Sequence, residues 1–179
     1  MKIDVRHEFP YSAETVYHVF RDRMQEYVRF CPNLTKVVIE QRMDVSETIT
    51  EMRVRWHGLG QIPELIRHLL KPEMISWEDW ETWDSTAREC RWVIKPFYFR
   101  EFVKCEGAWR FESLGENKCA ARCDGVFIVD IKKFPPFPEF IVKKASPAIE
   151  KMIGSYLEPN LKSVFKAVND FISSSTAKK

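Results

Sequence analysis

The clearest pattern in the chain is the alternation of charged and less polar residues from Glu47 to Trp56. Successive side chains of a β-strand point to opposite faces, so this pattern produces one dry face and one charged face. A strand of this kind is typical of an antiparallel sheet with one side against the core. The dry face is predicted to carry Thr48, Thr50, Met52, Val54 and Trp56.

Weaker alternation of the same kind predicts six further strands. Short stretches rich in Asp, Ser, Thr, Gly and Asn separate several of them and are typical of turns. Consecutive strands joined in this way are expected to form an antiparallel meander. The predicted strands are Ile3–Phe9, Lys36–Met43, Met74–Asp84, Ala87–Lys95, Phe97–Glu112 and Lys118–Ile131.

Apolar residues at helical spacing predict two short helices after the first strand. Val16, Val19 and Phe20 share one helix face, and the Ser12 hydroxyl is placed to cap the first turn. The second short helix is predicted from Met24 to Phe30. Its end is expected before a proline, because the residue before proline is disfavoured in a helix.

A long apolar stripe between Ser146 and Ile172 predicts a C-terminal helix, with Pro159 expected to kink it. A further one or two helical turns are predicted from Pro63 to Leu70. The stripe of the long helix needs an apolar partner, and the dry face of the sheet needs a cover. The helix is therefore predicted to lie across the sheet.

The first predicted helix lies in the motif Pro10-x-Ser12-Ala13-Glu14-x-Val16-Tyr17, which is followed by Asp22, Tyr27 and Cys31-Pro32-Asn33. With the order of elements, these residues resemble the START/Bet v 1-like superfamily, also called SRPBCC, helix-grip or polyketide cyclase-like proteins. The resemblance implies an α+β fold in which a curved antiparallel sheet of about seven strands wraps around a long C-terminal helix. It also implies a cavity between the sheet and that helix.

No linker or internal repeat divides the chain. Its 179 residues are enough for one substantial core. We therefore expect a single domain over residues 1–173, followed by a disordered tail at 174–179.

Composition excludes several classes of partner. The 28 basic and 26 acidic side chains are too evenly balanced for the concentrated basic face that nucleic-acid binding needs. Five cysteines without a Cys-x-x-Cys pair favour reduced thiols and no metal site. No apolar run approaches the roughly 20 residues of a membrane span, and no apolar signal core opens the chain. We expect a cytoplasmic protein without a metal or cofactor.

The inward face of the sheet is the first candidate site. Alternation alone allows these side chains to form a solid core, whereas the resemblance implies that they surround a ligand. Large aromatic rings and adaptable methionines suit either arrangement. The candidate ligand-binding residues are Met52, Val54, Trp56, Trp92, Cys105, Trp109, Cys123 and Phe127 on the sheet, with Met152 and Tyr156 of the long helix opposite them.

The acidic segment from Trp77 to Asp84 is the second candidate. Alternation places Asp79 and Glu81 on one face and Glu78 on the other, with no histidine at metal-ligand spacing. We expect a solvated acidic strand rather than paired carboxyls for acid–base chemistry. Trp80 is predicted to face away from Trp77 and Trp83, where it is either covered by a loop or part of an interaction patch.

A loop from Lys132 to Phe140 combines rigid aromatic residues with neighbouring lysines, as an interfacial membrane contact does. It is predicted to lie at the cavity mouth or to contact a membrane surface transiently; the alternative is that its rings fold onto the core. The mouth or membrane-contact residues are Phe134, Phe137, Phe140 and His57.

The predicted function is the non-enzymatic binding of a hydrophobic small molecule or lipid, with its transport as an extension. A cyclase or aromatase-type enzyme is one alternative, and it needs a buried acid–base pair within the cavity. A protein-interaction module resembling co-chaperones is the other, and it needs a filled core with an exposed patch, for example near Trp80. Fold resemblance does not separate these classes.

Overall fold

The structure is a computed structural model that describes residues 1–58, 76–97, 100–130 and 158–175. Several sequence predictions lie outside these residues. They are the turns at Pro63–Leu70, the loop with Phe134, Phe137 and Phe140, the start of the C-terminal helix with Met152 and Tyr156, and residues 176–179.

Seven antiparallel strands form one sheet in the order β1-β7-β6-β5-β4-β3-β2. Strands β2 to β7 follow one another as a meander, and β1 pairs with β7. The order of elements predicted from the sequence is thereby confirmed. The strands are β1 Lys2–Phe9, β2 Leu34–Asp44, β3 Ile49–Gly58, β4 Ser76–Asp84, β5 Glu89–Pro96, β6 Val103–Gly115 and β7 Lys118–Val129.

Two short helices follow β1, as predicted. Helix α1 spans Ala13–Asp22 and α2 spans Met24–Tyr27, with a 3₁₀ turn at Val28–Phe30. Ser12 caps α1, since its Oγ accepts a hydrogen bond of 3.1 Å from the backbone N–H of Thr15.

Residues 158–175 form the described part of the C-terminal helix, which we label α3. Its buried residues face the sheet, and the Phe165 ring lies 5.5 Å from the Trp109 ring and 6.0 Å from the Phe9 ring. Asn33 donates a hydrogen bond of 2.6 Å to Asn160 near the start of the described segment. The described elements thus form the predicted α+β helix-grip arrangement.

Some predicted strand bounds were wrong by several residues. Alternation predicts Thr48 on the dry face of β3, but Thr48 is exposed in the turn before the strand. There its backbone N–H donates a hydrogen bond to Oγ of Ser46. The strand predicted from Phe97 begins only at Val103, after a 3₁₀ turn. Apolar alternation marks faces well, whereas strand ends depend on local turn hydrogen bonds that the pattern does not encode.

The sheet has a close approach between β6 and β7, where Gly107 pairs with Gly125. A Cβ on Gly107 would lie 2.8 Å from the Gly125 Cα and 2.5 Å from Cζ2 of Trp92. Glycine is therefore required at this position by packing rather than by its backbone angles. The arrangement lets the Trp92 ring lie directly over the sheet.

Candidate functional site

A cavity of about 110 Å³ lies between the inward face of the sheet, the short helices and α3. Leu161 and Val164 contribute from α3, and Met24 contributes from α2. Its wall is dominated by rings that come from six elements. These are Phe20, Tyr27, Trp56, Trp77, Trp83, Trp92 and Trp109.

Two carboxyl side chains of β4, Asp79 and Glu81, also line this cavity. Asp79 is 9% exposed and Glu81 is 7% exposed. The expectation of a solvated acidic strand is wrong for these two residues. The same alternation that turns Trp77 and Trp83 inward turns the two acids inward with them.

The neighbours of the acid pair on adjacent strands are apolar. Asp79 lies opposite Val54 of β3 and Ile94 of β5, whereas Glu81 lies opposite Met52 and Trp92. Each acid is thus flanked across the sheet by hydrocarbon or indole rather than by a basic side chain.

The two acids differ in their hydrogen bonding. The Trp83 indole N–H donates a hydrogen bond of 2.7 Å to Oε2 of Glu81. Oδ1 of Asp79 is buried and has no hydrogen-bond partner within the part of the chain that the structure describes. The indole N–H of Trp56 is buried and similarly unsatisfied among those residues. Buried polar groups without partners are rare in folded proteins, and they often mark a place for a ligand or an ordered water.

Burial in this environment disfavours the charged form of both acids. It raises the pKa of Asp79 to about 7 and raises the pKa of Glu81 well above its ordinary value. A negative charge on Asp79 raises the pKa of Glu81 further, whereas the hydrogen bond from Trp83 lowers it. The pair can therefore hold or exchange a proton near neutral pH, which is the property required of a general acid or base.

The thiols around the cavity are poor nucleophiles. Burial raises the pKa of Cys105 to about 12 and holds that of Cys90 well above the ordinary thiol value. A thiol with a raised pKa carries little thiolate at neutral pH. All five cysteines are free and buried, so these side chains act as small apolar groups.

The sequence-predicted ligand residues fall into two groups. Trp56, Trp92, Cys105 and Trp109 line the cavity. The others with described positions pack in the core around it without lining it, and these are Met52, Val54, Cys123 and the half-buried Phe127. His57, predicted at the mouth, is half-buried near the end of β3 and does not line the cavity.

The outer face of β4 carries Trp80, which is 42% exposed, as the alternation predicts. A basic side chain covers its ring, because Nζ of Lys95 lies 3.4 Å from the ring centroid. Its indole N–H donates a hydrogen bond of 3.1 Å to Glu78. Trp80 is thus engaged in a cation–π contact within the sheet surface.

The described residues contain neither a membrane-spanning helix nor a cluster suited to a metal ion. Within the described ranges, no helix has the length and apolar character needed to cross a membrane. Among the same residues, no group of three or more His, Cys, Asp or Glu side chains is placed to hold a metal ion. The cytoplasmic location stays a prediction from the sequence.

A family model described as polyketide cyclase / dehydrase and lipid transport matches residues 9–154. The chain belongs to this family. It shares the fold of the START/Bet v 1-like superfamily, as its N-terminal motif indicated. No curated protein sequence matches the chain.

Solved structures of the same fold cover nearly all of this polyketide cyclase family member. TTHA0849 from Thermus thermophilus is 14% identical with a TM-score of 0.69, over 98% of this chain and 99% of that one. The Zhui aromatase/cyclase from Streptomyces sp. R1128 is 15% identical with a TM-score of 0.67, over 95% and 92%. A START superfamily protein from Mycobacterium smegmatis is 15% identical with a TM-score of 0.56, over 97% of each chain. At these identities the likeness shows the fold alone.

Proposed function

We propose that this domain binds a small organic molecule with an apolar, ring-sized body in the cavity, and that Asp79 makes its polar contact. The observation that carries the proposal is the unpaired, buried carboxyl oxygen of Asp79 within a wall of aromatic rings. Family membership supports a ligand-binding domain of the START/polyketide cyclase kind.

The size of the cavity indicates the size of the ligand body. A volume of about 110 Å³ is comparable with engineered apolar cavities of roughly 150 Å³ that bind benzene. Burying about 100 Å² of apolar ligand surface there contributes about 2.5 kcal/mol. Trp56, Trp92 and Trp109 are the proposed ring contacts, with Cys105 beside them in the wall. A longer ligand such as a lipid would have to extend beyond the part of the cavity that these residues line.

The acid pair also supports a second candidate function, a cyclase or aromatase-type enzyme. Such an enzyme needs a buried group that exchanges protons near neutral pH, and the raised pKa of Asp79 fits that role. The sequence predicts a solvated acidic strand and so no acid–base pair in the cavity. The burial of Asp79 and Glu81 removes that argument against an enzyme. The Zhui aromatase/cyclase, which has this fold, is named for that activity.

Native mass spectrometry of gently purified protein tests the binding proposal. A matched pair of variants locates the ligand: Ile94→Trp fills the cavity, whereas Val93→Trp adds the same ring on the outer face of the same strand. We expect wild type and Val93→Trp to carry a bound apolar compound, and Ile94→Trp to lose it. Equal retention by both variants, or uptake of no compound from a mixture of aromatic molecules and lipids, contradicts the proposal.

The extracted compound then separates a binder from an enzyme. The wild-type protein and Asp79→Asn are each incubated with it, and the products are analysed. If Asp79 acts as a general acid or base, the variant reacts about 10² to 10⁴ times more slowly. If the protein only binds the compound, neither protein changes it.

A further inference from the structure

The described lining of the cavity has an unbalanced set of charges. It contains two carboxyl side chains, Asp79 and Glu81, and no lysine, arginine or histidine. Among the described residues, the titratable groups on which this pair acts all become negative, not positive, when they ionise. They are Tyr27 of α2, Cys90 of β5, Cys105 of β6 and Cys123 of β7. A ligand that brings a carboxylate or phosphate into this cavity would therefore be repelled.

Several other acids among the described residues are paired with basic side chains. Asp22 accepts hydrogen bonds from Arg21 and Arg42, and Asp4 accepts two from Arg122. Asp79 is nine-tenths buried, yet its Oδ1 has no donor among the described residues. A buried carboxyl normally has a partner, so the missing donor is expected to come from a bound molecule.

The aromatic wall favours the same kind of ligand. Seven rings line the same cavity as the acids, and the faces of Trp and Tyr rings attract cations, most strongly where water is excluded. A cation between the two carboxyls also allows both to ionise without the repulsion that otherwise keeps one protonated. A ligand that offers only a neutral hydrogen-bond acceptor is stabilised neither by the ring faces nor by relief of the repulsion between the carboxyls.

We propose that the ligand of this cavity carries a protonated amine, which Asp79 and Glu81 bind within the aromatic wall. This inference rests on the proposed function, because it names the chemical class of the molecule bound at that site. Asp79 supplies the free carboxyl oxygen, and Glu81 stays oriented by its hydrogen bond from Trp83. The apolar body of the ligand lies against the rings.

Three probes of nearly equal size and different charge test the inference: benzylamine, benzyl alcohol and benzoate. Their binding to the wild-type protein is measured by isothermal titration calorimetry at pH 7 and low salt. We expect benzylamine to bind at least 10-fold more tightly than benzyl alcohol, and benzoate to bind most weakly. Titrations in two buffers of different ionisation enthalpy should show proton release from the protein when benzylamine binds, because the cation lowers the pKa of the acid pair.

Asp79→Asn and Glu51→Gln each remove one acidic side chain. Comparing them separates an effect within the cavity from a general effect of the protein's charge. Asp79→Asn should lower the affinity for benzylamine at least 10-fold and should change the affinity for benzyl alcohol less than twofold. Glu51→Gln removes an exposed acid from the outer face of β3 and should leave both affinities unchanged. Benzyl alcohol binding as tightly as benzylamine, or benzylamine binding equally to wild type and Asp79→Asn, overturns the amine inference while the binding proposal stands. If none of the three probes binds, the amine inference and the ring-sized ligand proposal both fail.

Discussion

At the scale of single residues, the environment of Asp79 and Glu81 decides what the cavity can do. Alternation along β4 showed that these acids share a face with Trp77 and Trp83, but it does not say which face is buried. Residue type argued for the solvent side, because unpaired acids are rarely buried. The correct placement follows from the tryptophans, whose large apolar surface outweighs the cost of burying two neutral carboxyls.

Replacing Asp79 with Asn should stabilise the fold at alkaline pH. The native carboxyl keeps its proton up to a pKa of about 7, whereas an unfolded Asp loses it near 4. Wild-type stability therefore falls as pH rises between these values, and the amide removes this loss. The free energy of unfolding of Asp79→Asn, measured in urea relative to the wild type, should increase by on the order of 3 kcal/mol between pH 5 and pH 8.

The control for this experiment is Glu51→Gln, which removes one exposed charge from the neighbouring strand. Its unfolding free energy should follow the pH dependence of the wild type. A wild type whose stability is flat between pH 5 and pH 8, with Asp79→Asn parallel to it, would show that Asp79 is not buried as described.

At the scale of elements, helix α1 is fixed to β2 through Asp22. Its carboxylate accepts hydrogen bonds of 2.9 Å from Arg21 and 2.8 Å from Arg42, and His18 lies 3.2 Å away. Burial opposes ionisation, but these hydrogen bonds outweigh it and lower the pKa of Asp22 to about 2. The motif that suggested the family includes this residue, although the sequence did not identify Arg42 as its partner.

Asp22→Asn should destabilise the protein by about 2 kcal/mol at neutral pH. Because the folded pKa lies below the unfolded value, this contribution is complete above about pH 4 and disappears as pH falls through 2. Thermal or urea unfolding across this range measures it. Asp4→Asn, whose pair with Arg122 is exposed, should have a smaller effect, and an equal effect of both variants would contradict the account.

Strands β6 and β7 depend on the glycine pair at their centre. Gly107→Ala places a methyl group against the backbone of Asp124 and Gly125 and against the Trp92 ring, whereas the atoms nearest to a methyl group on Gly125 are backbone atoms of Glu106 and Gly107. Both should destabilise the fold by about 1–3 kcal/mol in urea unfolding. Only Gly107→Ala should also change the near-ultraviolet circular dichroism of tryptophan, and unchanged stability in either variant would refute the close approach.

At the scale of the whole molecule, the sequence was sufficient to predict the helix-grip fold. Alternation, the Ser12 cap and the N-terminal motif together specified the order of strands and short helices. The cavity could not be predicted in the same way. Its volume is a small difference between the space enclosed by the elements and the side chains that fill it, and both depend on sheet curvature and ring orientation.

The central claim is that Asp79 is a buried carboxyl without a partner in the free protein, and is therefore available to a ligand of the aromatic cavity. The most direct test is to follow the side-chain carboxyl carbon of Asp79 by ¹³C NMR as a function of pH, in the free protein. We expect this carboxyl to titrate near pH 7, with Asp79→Asn identifying the resonance. A midpoint near the ordinary Asp value of about 4 would contradict it, because the group would then be solvated or already paired.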